Sequence, residues 1–188
     1  MIICIIRHGQ TDWNKLRKIQ GQTDNPLNDQ GRAEARKVAS HLLNNNPKWD
    51  YLYTSPLARA LETGTIIAGA LNLPKPIILN GLKERNFGEF EGTTINDQTF
   101  PTIMKEQVHG LESKQALQIR VKQAIGEIYK QHPHGKILIT THSHFIKGLL
   151  STIKPDFDFA QLLYNGSLSY FEVNDQTITL LSFNEEPK

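Results

Sequence analysis

The stretch Met1-Ile2-Ile3-Cys4-Ile5-Ile6-Arg7-His8-Gly9-Gln10-Thr11 decides the fold. Its first six residues are apolar and mostly β-branched, which predicts a strand that is buried on both faces. Arg7 and His8 then end the run with two polar groups that a dry core does not accept without partners. Open α/β sheets carry their sites at the carboxyl ends of such strands. The stretch therefore predicts a functional site at Arg7, His8 and Gly9.

Strands and helices alternate along the rest of the chain. Further strands are predicted at residues 50–54, 76–79 and 136–141, and a C-terminal hairpin at 167–173 and 177–183. Helices are predicted to begin near Asn28, after Ser55-Pro56, at Ser113 and at Phe145, with Ser55 as an N-cap. Residues 12–27 are expected to form a long functional loop. The alternation predicts a three-layer α/β/α sandwich with a mostly parallel central sheet, in a single domain of residues 1–188.

Composition excludes several functional classes. The chain has 188 residues and a net charge of +2, which is too small to indicate nucleic acid or an anionic membrane surface as a partner. No apolar stretch approaches the roughly 20 residues of a membrane span. The single cysteine, Cys4, cannot form a disulfide within the chain, which suits a reducing compartment. We expect a cytoplasmic protein, and the sequence leaves monomer and homodimer both open.

Five polar residues follow the predicted strands: Arg7 and His8, Arg59, Glu84 and His142. Arginine side chains match the oxygens of a phosphoryl group, and a neutral histidine can attack phosphorus to form a covalent intermediate. A carboxylic acid can protonate the leaving oxygen and later deprotonate a water molecule. Because fixed positive charge neutralises the phosphoryl oxygens, this chemistry requires neither a metal nor another cofactor.

Four blocks of sequence resemble the motifs of the histidine phosphatases, the superfamily of cofactor-dependent phosphoglycerate mutase and fructose-2,6-bisphosphatase. They occur in the family's order and extend over most of the chain. A lone Arg-His-Gly would be a weak signal, whereas four blocks together are specific. The resemblance implies a phosphoglycerate mutase-like fold. The blocks are residues 7–14, residues 54–63, Leu82-Lys83-Glu84 with Gly88 and Glu91-Gly92, and Thr141-His142.

The resemblance implies a role for each matching residue. His8 corresponds to the nucleophile that becomes phosphohistidine, and Glu84 to the general acid and base. Arg7, Arg59 and His142 correspond to the residues that hold the phosphoryl group.

Four further positions are implied as phosphate or substrate contacts. Asn14, Gln20 and Gly21 lie where family members add such contacts. Ser143 departs from the pattern, because many relatives have glycine after the second histidine; its hydroxyl adds a possible donor. Glu89 and Glu91 lie close to Glu84 in sequence and could be mistaken for the acid. His142 and His144 could bind a metal as a His-x-His pair, but the chain lacks evident carboxylate partners for one.

Three functions remain open. The first is a phosphomonoesterase that hydrolyses a small phosphorylated metabolite through phosphohistidine. The second is a cofactor-dependent phosphoglycerate mutase. We expect hydrolysis, because residues 93–112 and 184–188 offer little structure to keep water from the intermediate. The third is a phosphate-binding module without catalysis, which would require neither a nucleophile nor an acid.

Overall fold

A six-stranded sheet runs through the computed structural model, which describes residues 1–45 and 48–188. Its strands are β1 (Ile2–Arg7), β2 (Tyr51–Thr54), β3 (Ile77–Ile78), β4 (Lys136–Thr141), β5 (Leu168–Val173) and β6 (Ile178–Glu185). From one edge to the other they lie in the order β3-β2-β4-β1-β5-β6. Neighbouring strands among β1 to β4 are parallel, whereas β5 is antiparallel to both β1 and β6.

Helices cover both faces of this sheet, which confirms the predicted α/β/α sandwich. α2 (Asp29–Asn45) and α3 (Ala58–Ala70) cover one face, and α5 (Lys114–Gln131) and α6 (Ser143–Ile153) cover the other. The shorter helices α1 (Asp12–Lys15) and α4 (Thr99–Met104) lie in the connections that follow β1 and β3. The predicted end of α2 at residues 44–47 falls partly on Asn46 and Pro47, which lie outside the described residues.

Alternate residues of the central strands point to opposite helical layers. Ile3 and Ile5 of β1 pack with apolar side chains of α5 and α6, whereas Cys4 and Ile6 pack with those of α2 and α3. This is the two-residue period of a strand, and both sets are fully buried. The burial on both faces explains why the first six residues are continuously apolar.

The carboxyl ends of β1, β2, β3 and β4 meet at one edge of the sheet, because these strands are parallel. Arg7 and His8 lie at the end of β1, and His142 directly follows β4. Arg59 lies in the first turn of α3 after β2, and Glu84 follows β3. The topology therefore brings the predicted site residues to one edge of the sheet.

Two local predictions are corrected by the structure. Ser55 is not the N-cap of α3, because the helix begins at Ala58 with Leu57 in the cap position and no capping side chain. The Ser55 hydroxyl instead accepts a hydrogen bond from the Leu57 N–H (3.3 Å) and contacts His142. Residues 12–27 are not wholly a loop, since Thr11 and Asn14 form a capping box for α1.

None of the helices within residues 1–45 and 48–188 combines the length and the apolar character that crossing a membrane requires.

The turn after β1 packs directly against the start of α2. A Cβ atom on Gly31 would lie 2.1 Å from the carbonyl oxygen of Gln10, and one on Gly9 would lie 2.3 Å from that of Gly31. The Asn28 N–H also donates to the Gln10 carbonyl oxygen (3.0 Å). The absence of side chains at Gly9 and Gly31 thus allows α2 to hold the turn that carries His8.

Replacing Gly31 by alanine should destabilise the fold, because the added methyl group overlaps a backbone carbonyl. We expect the free energy of unfolding to fall by about 1–3 kcal/mol, as for other overpacked sites. Urea unfolding at a constant m-value measures this change. Gly126→Ala on α5 is the matched control, because nothing lies within 4 Å of its added Cβ. That variant should be unchanged or more stable by up to about 1 kcal/mol, and equal stability of the two variants would contradict the packing account.

Candidate active site

His8 is held in one orientation and one tautomer. Its backbone N–H donates to the Thr141 carbonyl oxygen (2.9 Å), and its own carbonyl oxygen accepts from the Asn165 side-chain amide (2.9 Å). Nδ1 lies 2.7 Å from the Gly9 carbonyl oxygen. Because a carbonyl can only accept, Nδ1 carries the proton and Nε2 carries the lone pair.

The surroundings of His8 keep its ring neutral. The side chain is buried beside two guanidinium groups, and burial together with the charges of Arg59 and Arg7 lowers the pKa of His8 well below its ordinary value. A neutral imidazole with a free lone pair is the form that can act as a nucleophile.

Arg59 is fully buried, and its guanidinium group donates hydrogen bonds to the backbone carbonyl oxygens of Gly21 and Thr23. Its Nη1 donates to the Thr23 carbonyl oxygen (2.9 Å) and its Nη2 to that of Gly21 (2.6 Å). Nε has no hydrogen-bond partner among the described residues. Burial lowers the pKa of the Arg59 guanidinium, and Glu84 opposes that change. The side chain remains charged because arginine starts from a very high pKa.

Arg7, the last residue of β1, is held in a similar way. Its Nη1 donates to the Leu163 carbonyl oxygen, and its Nε has no partner among the described residues. Burial, with a contribution from Arg59, lowers the pKa of Arg7 to about 10. Within residues 1–45 and 48–188, no carboxylate forms a salt bridge with Arg7 or Arg59. Two positive charges, the buried Arg59 and the half-buried Arg7, therefore line the site without a salt-bridge partner in this part of the chain.

Glu84 is fixed by the backbone at the start of α6. Its Oε1 accepts from the N–H groups of Arg85 (2.8 Å) and Phe145 (3.2 Å), and its Oε2 from that of His144 (3.2 Å). Burial raises the pKa of the Glu84 carboxyl group, while these hydrogen bonds and the two arginines partly offset the increase. The group is therefore oriented and can exchange a proton closer to neutral pH than an exposed glutamate.

The other two nearby glutamates have different surroundings. Glu91 accepts from the backbone N–H groups of Gln22 (2.9 Å), Thr23 (2.8 Å) and Phe87 (3.1 Å), so its carboxylate organises the loop. Glu89 is exposed. Neither residue lines the cavity described below, whereas Glu84 does.

His142 lies beside His8 but behind the cavity wall. The two ring centroids are 5.2 Å apart, and His142 Nε2 lies 2.8 Å from the Ser55 hydroxyl oxygen. Its Nδ1 is buried without a partner among the described residues. Burial, with Arg59 and His8, lowers the pKa of His142 well below its ordinary value, so the ring is neutral. Its contact with a phosphoryl group stays a prediction.

A cavity of about 580 Å³ opens above these residues. Its lining includes five cationic side chains, Arg7, Arg17, Lys18, Arg59 and Lys147, and a single carboxylate, that of Glu84. Of the nine predicted site residues, all but His142 line it: Arg7, His8, Asn14, Gln20, Gly21, Arg59, Glu84 and Ser143. The cavity is therefore built to receive an anion.

The predicted accessory contacts differ in what they can offer. Asn14 Oδ1 accepts from the Thr11 N–H (3.1 Å), and Gln20 Oε1 from the Thr11 hydroxyl (2.9 Å), which leaves both amide NH₂ groups available. Gly21 has a positive φ of 54°, and a Cβ there would overlap the Glu91 carboxylate. Its carbonyl oxygen already accepts from Arg59, so Gly21 also supports that residue.

Several supporting residues were missed by the sequence analysis. Asn165 contacts the His8 carbonyl oxygen, and the Thr63 hydroxyl accepts from the Gly9 N–H (3.1 Å). The Ser55 hydroxyl was expected to cap a helix but contacts His142. Asn165 gives no sequence signal of its role, since it lies in a turn far from the motifs. Thr63 lies inside the second motif, four residues after Arg59, on the same face of α3.

The two histidines of the His-x-His alternative, His142 and His144, have different surroundings. His142 contacts Ser55, whereas the ring of His144 lies edge-on between Phe87 and Phe159. Across the described ranges 1–45 and 48–188, no group of three or more His, Cys, Asp or Glu residues could hold a metal ion.

Comparison with known proteins identifies the family. The sequence profile of the histidine phosphatase superfamily (branch 1) matches residues 3–186. The chain is 33% identical to the uncharacterized phosphatase PhoE of Bacillus subtilis, over 97% of this chain and 93% of that protein. It is 31% identical to phosphoglycerate mutase-like protein 4 of Arabidopsis thaliana, over 92% of this chain and 80% of that protein.

A solved structure supports the same assignment. A histidine-to-alanine variant of the phosphoserine phosphatase of Entamoeba histolytica, in complex with phosphoserine, superposes with a TM-score of 0.85. It is 28% identical, and the match covers 98% of this chain and 97% of that one. The predicted family and enzyme class are thereby confirmed, and the chain belongs to branch 1 of the histidine phosphatase superfamily.

Proposed function

We propose that this chain hydrolyses phosphate monoesters of small metabolites through a phosphohistidine at His8, without a metal ion. The observation that carries the proposal is the neutral His8 ring beside Arg7 and Arg59, whose charges have no carboxylate partner among the described residues. The phosphoserine held by the solved relative supports a small phosphorylated substrate. We also propose that residues 1–188 act as a single domain.

The first step transfers the phosphoryl group to His8. The Nε2 lone pair forms a bond to phosphorus as the bond to the ester oxygen breaks, and that oxygen leaves with the electron pair. The Nδ1–H bond to the Gly9 carbonyl oxygen stabilises the positive charge that develops on the ring. In the second step water attacks phosphorus, which restores the neutral ring and releases inorganic phosphate.

Glu84 serves as the acid and then as the base in this proposal. In the first step its carboxyl group gives a proton to the departing ester oxygen. In the second step the carboxylate takes a proton from the attacking water, so that the group returns to its initial state. The raised pKa of Glu84 and its fixed orientation at the start of α6 suit both roles.

Arg7, Arg59 and His142 are proposed to hold the phosphoryl oxygens. Each of these side chains has one buried ring or guanidinium nitrogen that finds no partner in residues 1–45 and 48–188: Arg7 Nε, Arg59 Nε and His142 Nδ1. Unsatisfied buried polar atoms cost free energy, and an anion that accepts from them would remove that cost. Asn14, Gln20, Gly21 and Ser143 are proposed as further contacts at the cavity wall.

We favour hydrolysis over the mutase reaction because water can reach the cavity. Residues 93–112 form the short helix α4 with turns around it, and they contribute Ile95, Phe100 and Ile103 to the cavity lining. The rim nevertheless remains open, with Ile95 39% and Leu162 65% exposed. A mutase has to exclude water while it retains its intermediate product. The presence of both His8 and Glu84 disfavours a module that only binds phosphate.

Removal of His8 tests the nucleophile and the metal-free mechanism together. We expect His8→Ala to lower kcat/KM for p-nitrophenyl phosphate by about three to six orders of magnitude, as loss of a nucleophile does. The wild type should keep its activity in EDTA. His109→Ala is the control, because His109 is exposed and outside the cavity. Activity retained by His8→Ala, or wild-type activity that requires added Mg²⁺ or Zn²⁺, would contradict the mechanism.

Replacement of the proposed acid should depend on the leaving group. Glu84→Gln should lower kcat by about 10²–10⁴ for an alkyl phosphate, and less for p-nitrophenyl phosphate, whose leaving group needs little protonation. The measurement compares both substrates in the wild type, Glu84→Gln and the exposed control Glu89→Gln. Equal losses on the two substrates would show that Glu84 is not the proton donor.

A further inference from the structure

Lys147 is a buried charge in the cavity that the proposed phosphatase mechanism does not use. It lies on α6 four residues after Ser143, so both side chains occupy one face of the helix and both line the cavity. Its side chain is 7% exposed, and its Nζ donates to the Phe159 carbonyl oxygen (2.7 Å). An ammonium group has three donors, and the described residues satisfy one of them.

No carboxylate neutralises Lys147 at close range. Within the described residues none lies within the 4.0 Å of a salt bridge, although Glu84 and Asp158 act on it from farther away. Burial and the charge of Arg7 lower the pKa of Lys147 to about 8, so the group is still mainly protonated at neutral pH. A buried ammonium without a counter-ion is unfavourable, and a bound anion would compensate it.

The charges that line the cavity exceed what one phosphoryl group requires. Arg7 and Arg59 together balance a phosphate dianion, which leaves Arg17, Lys18 and Lys147. Of these three, Lys147 is the buried one, whereas Arg17 is exposed and Lys18 is half-buried. His144 also lines the cavity, and its buried Nδ1 has no hydrogen-bond partner within the described part of the chain. The rings of Phe87 and Phe159 flank His144 and offer an apolar surface to a short carbon chain.

We propose that Lys147 binds a carboxylate of the substrate, so that the preferred substrates are small phosphate monoesters of carboxylic acids. The inference rests on the proposed function and names the substrate class for the same cavity. A carboxylate is the matching partner because a single ammonium balances one negative charge. The contact is charge-assisted and removed from water, which makes it a strong determinant of selectivity.

Two substrate pairs test this proposal, since each differs in the carboxylate. Phosphoserine is compared with phosphoethanolamine, and 3-phosphoglycerate with glycerol 3-phosphate, by kcat/KM. The wild type should prefer the carboxylate-bearing member by about 10- to 100-fold, the scale of a hydrogen bond to a charged group. In Lys147→Met the preference should fall below about 3-fold, mainly through a higher KM for the carboxylate-bearing ester.

Two variants separate recognition from a structural role. Lys147→Arg keeps the charge and should retain most of the preference, and Lys154→Met removes an exposed lysine at the end of the same helix and should retain all of it. The selectivity ratio is measured within one variant, so a general loss of stability does not move it. Lack of preference in the wild type, or a preference that Lys147→Met keeps, would overturn the proposal.

The outcomes also separate this inference from the proposed function. If both members of each pair are hydrolysed equally in a His8-dependent reaction, the phosphatase proposal stands and the carboxylate site is wrong. If neither these esters nor p-nitrophenyl phosphate is hydrolysed, the proposed function itself fails. If Lys147→Met does not fold, the wild-type ratios still show whether the enzyme prefers carboxylate-bearing esters. Lys147→Gln then takes the place of Lys147→Met in the test of whether Lys147 causes that preference.

Discussion

Two guanidinium groups lie beside a neutral histidine and have no carboxylate partner within residues 1–45 and 48–188, and this is the constraint on which the structure depends. An ion removed from water without compensation costs several kcal/mol, so the fold has to supply hydrogen bonds that hold Arg7 and Arg59 in place. Backbone carbonyl oxygens of Leu163, Gly21 and Thr23 supply them. Carbonyl oxygens carry only partial charge, which leaves most of the positive potential for a ligand.

This arrangement explains why so much of the structure around the site is irregular. Glu91 binds backbone N–H groups of Gln22 and Thr23, and it thereby holds the loop that supports Arg59. Arg120 donates to the carbonyl oxygens of Gly81 (2.9 Å) and Lys83 (2.8 Å), and it pairs with Glu112 (2.7 Å). Its bonds to Gly81 and Lys83 fix the segment that carries Glu84. Loops can hold charged groups accurately when buried polar contacts of this kind define them.

The sequence predicts the sheet and the site residues because both are encoded locally. The continuous apolar runs of β1 and β4 identify buried strands, and the motifs place polar residues at their ends. The contacts of Asn165 and Lys147 could not be predicted in this way. They depend on how the chain after α6 returns along the cavity. There the Phe159 carbonyl oxygen accepts a hydrogen bond from Lys147, and the Leu163 carbonyl oxygen accepts one from Arg7. Long-range packing decides those contacts, and no local pattern records it.

The cap of α3 shows the same limit on a smaller scale. Ser55-Pro56 has the composition of a helix start, yet α3 begins at Ala58, and the Ser55 hydroxyl lies 2.8 Å from His142 Nε2 instead. Local propensity predicts that the Ser55 hydroxyl caps α3, whereas in the structure it makes a tertiary contact with His142. Prediction from sequence therefore fails here at a residue that the site itself uses.

The central claim is that His8 carries the phosphoryl group, and trapping the intermediate tests it most directly. The wild type is mixed with a substrate labelled in its phosphoryl group, quenched in base within milliseconds, digested and mapped. The account predicts an acid-labile, base-stable label on the peptide that contains His8, and no label in His8→Ala. A label on another residue, an acid-stable label, or turnover without any labelled protein would contradict it.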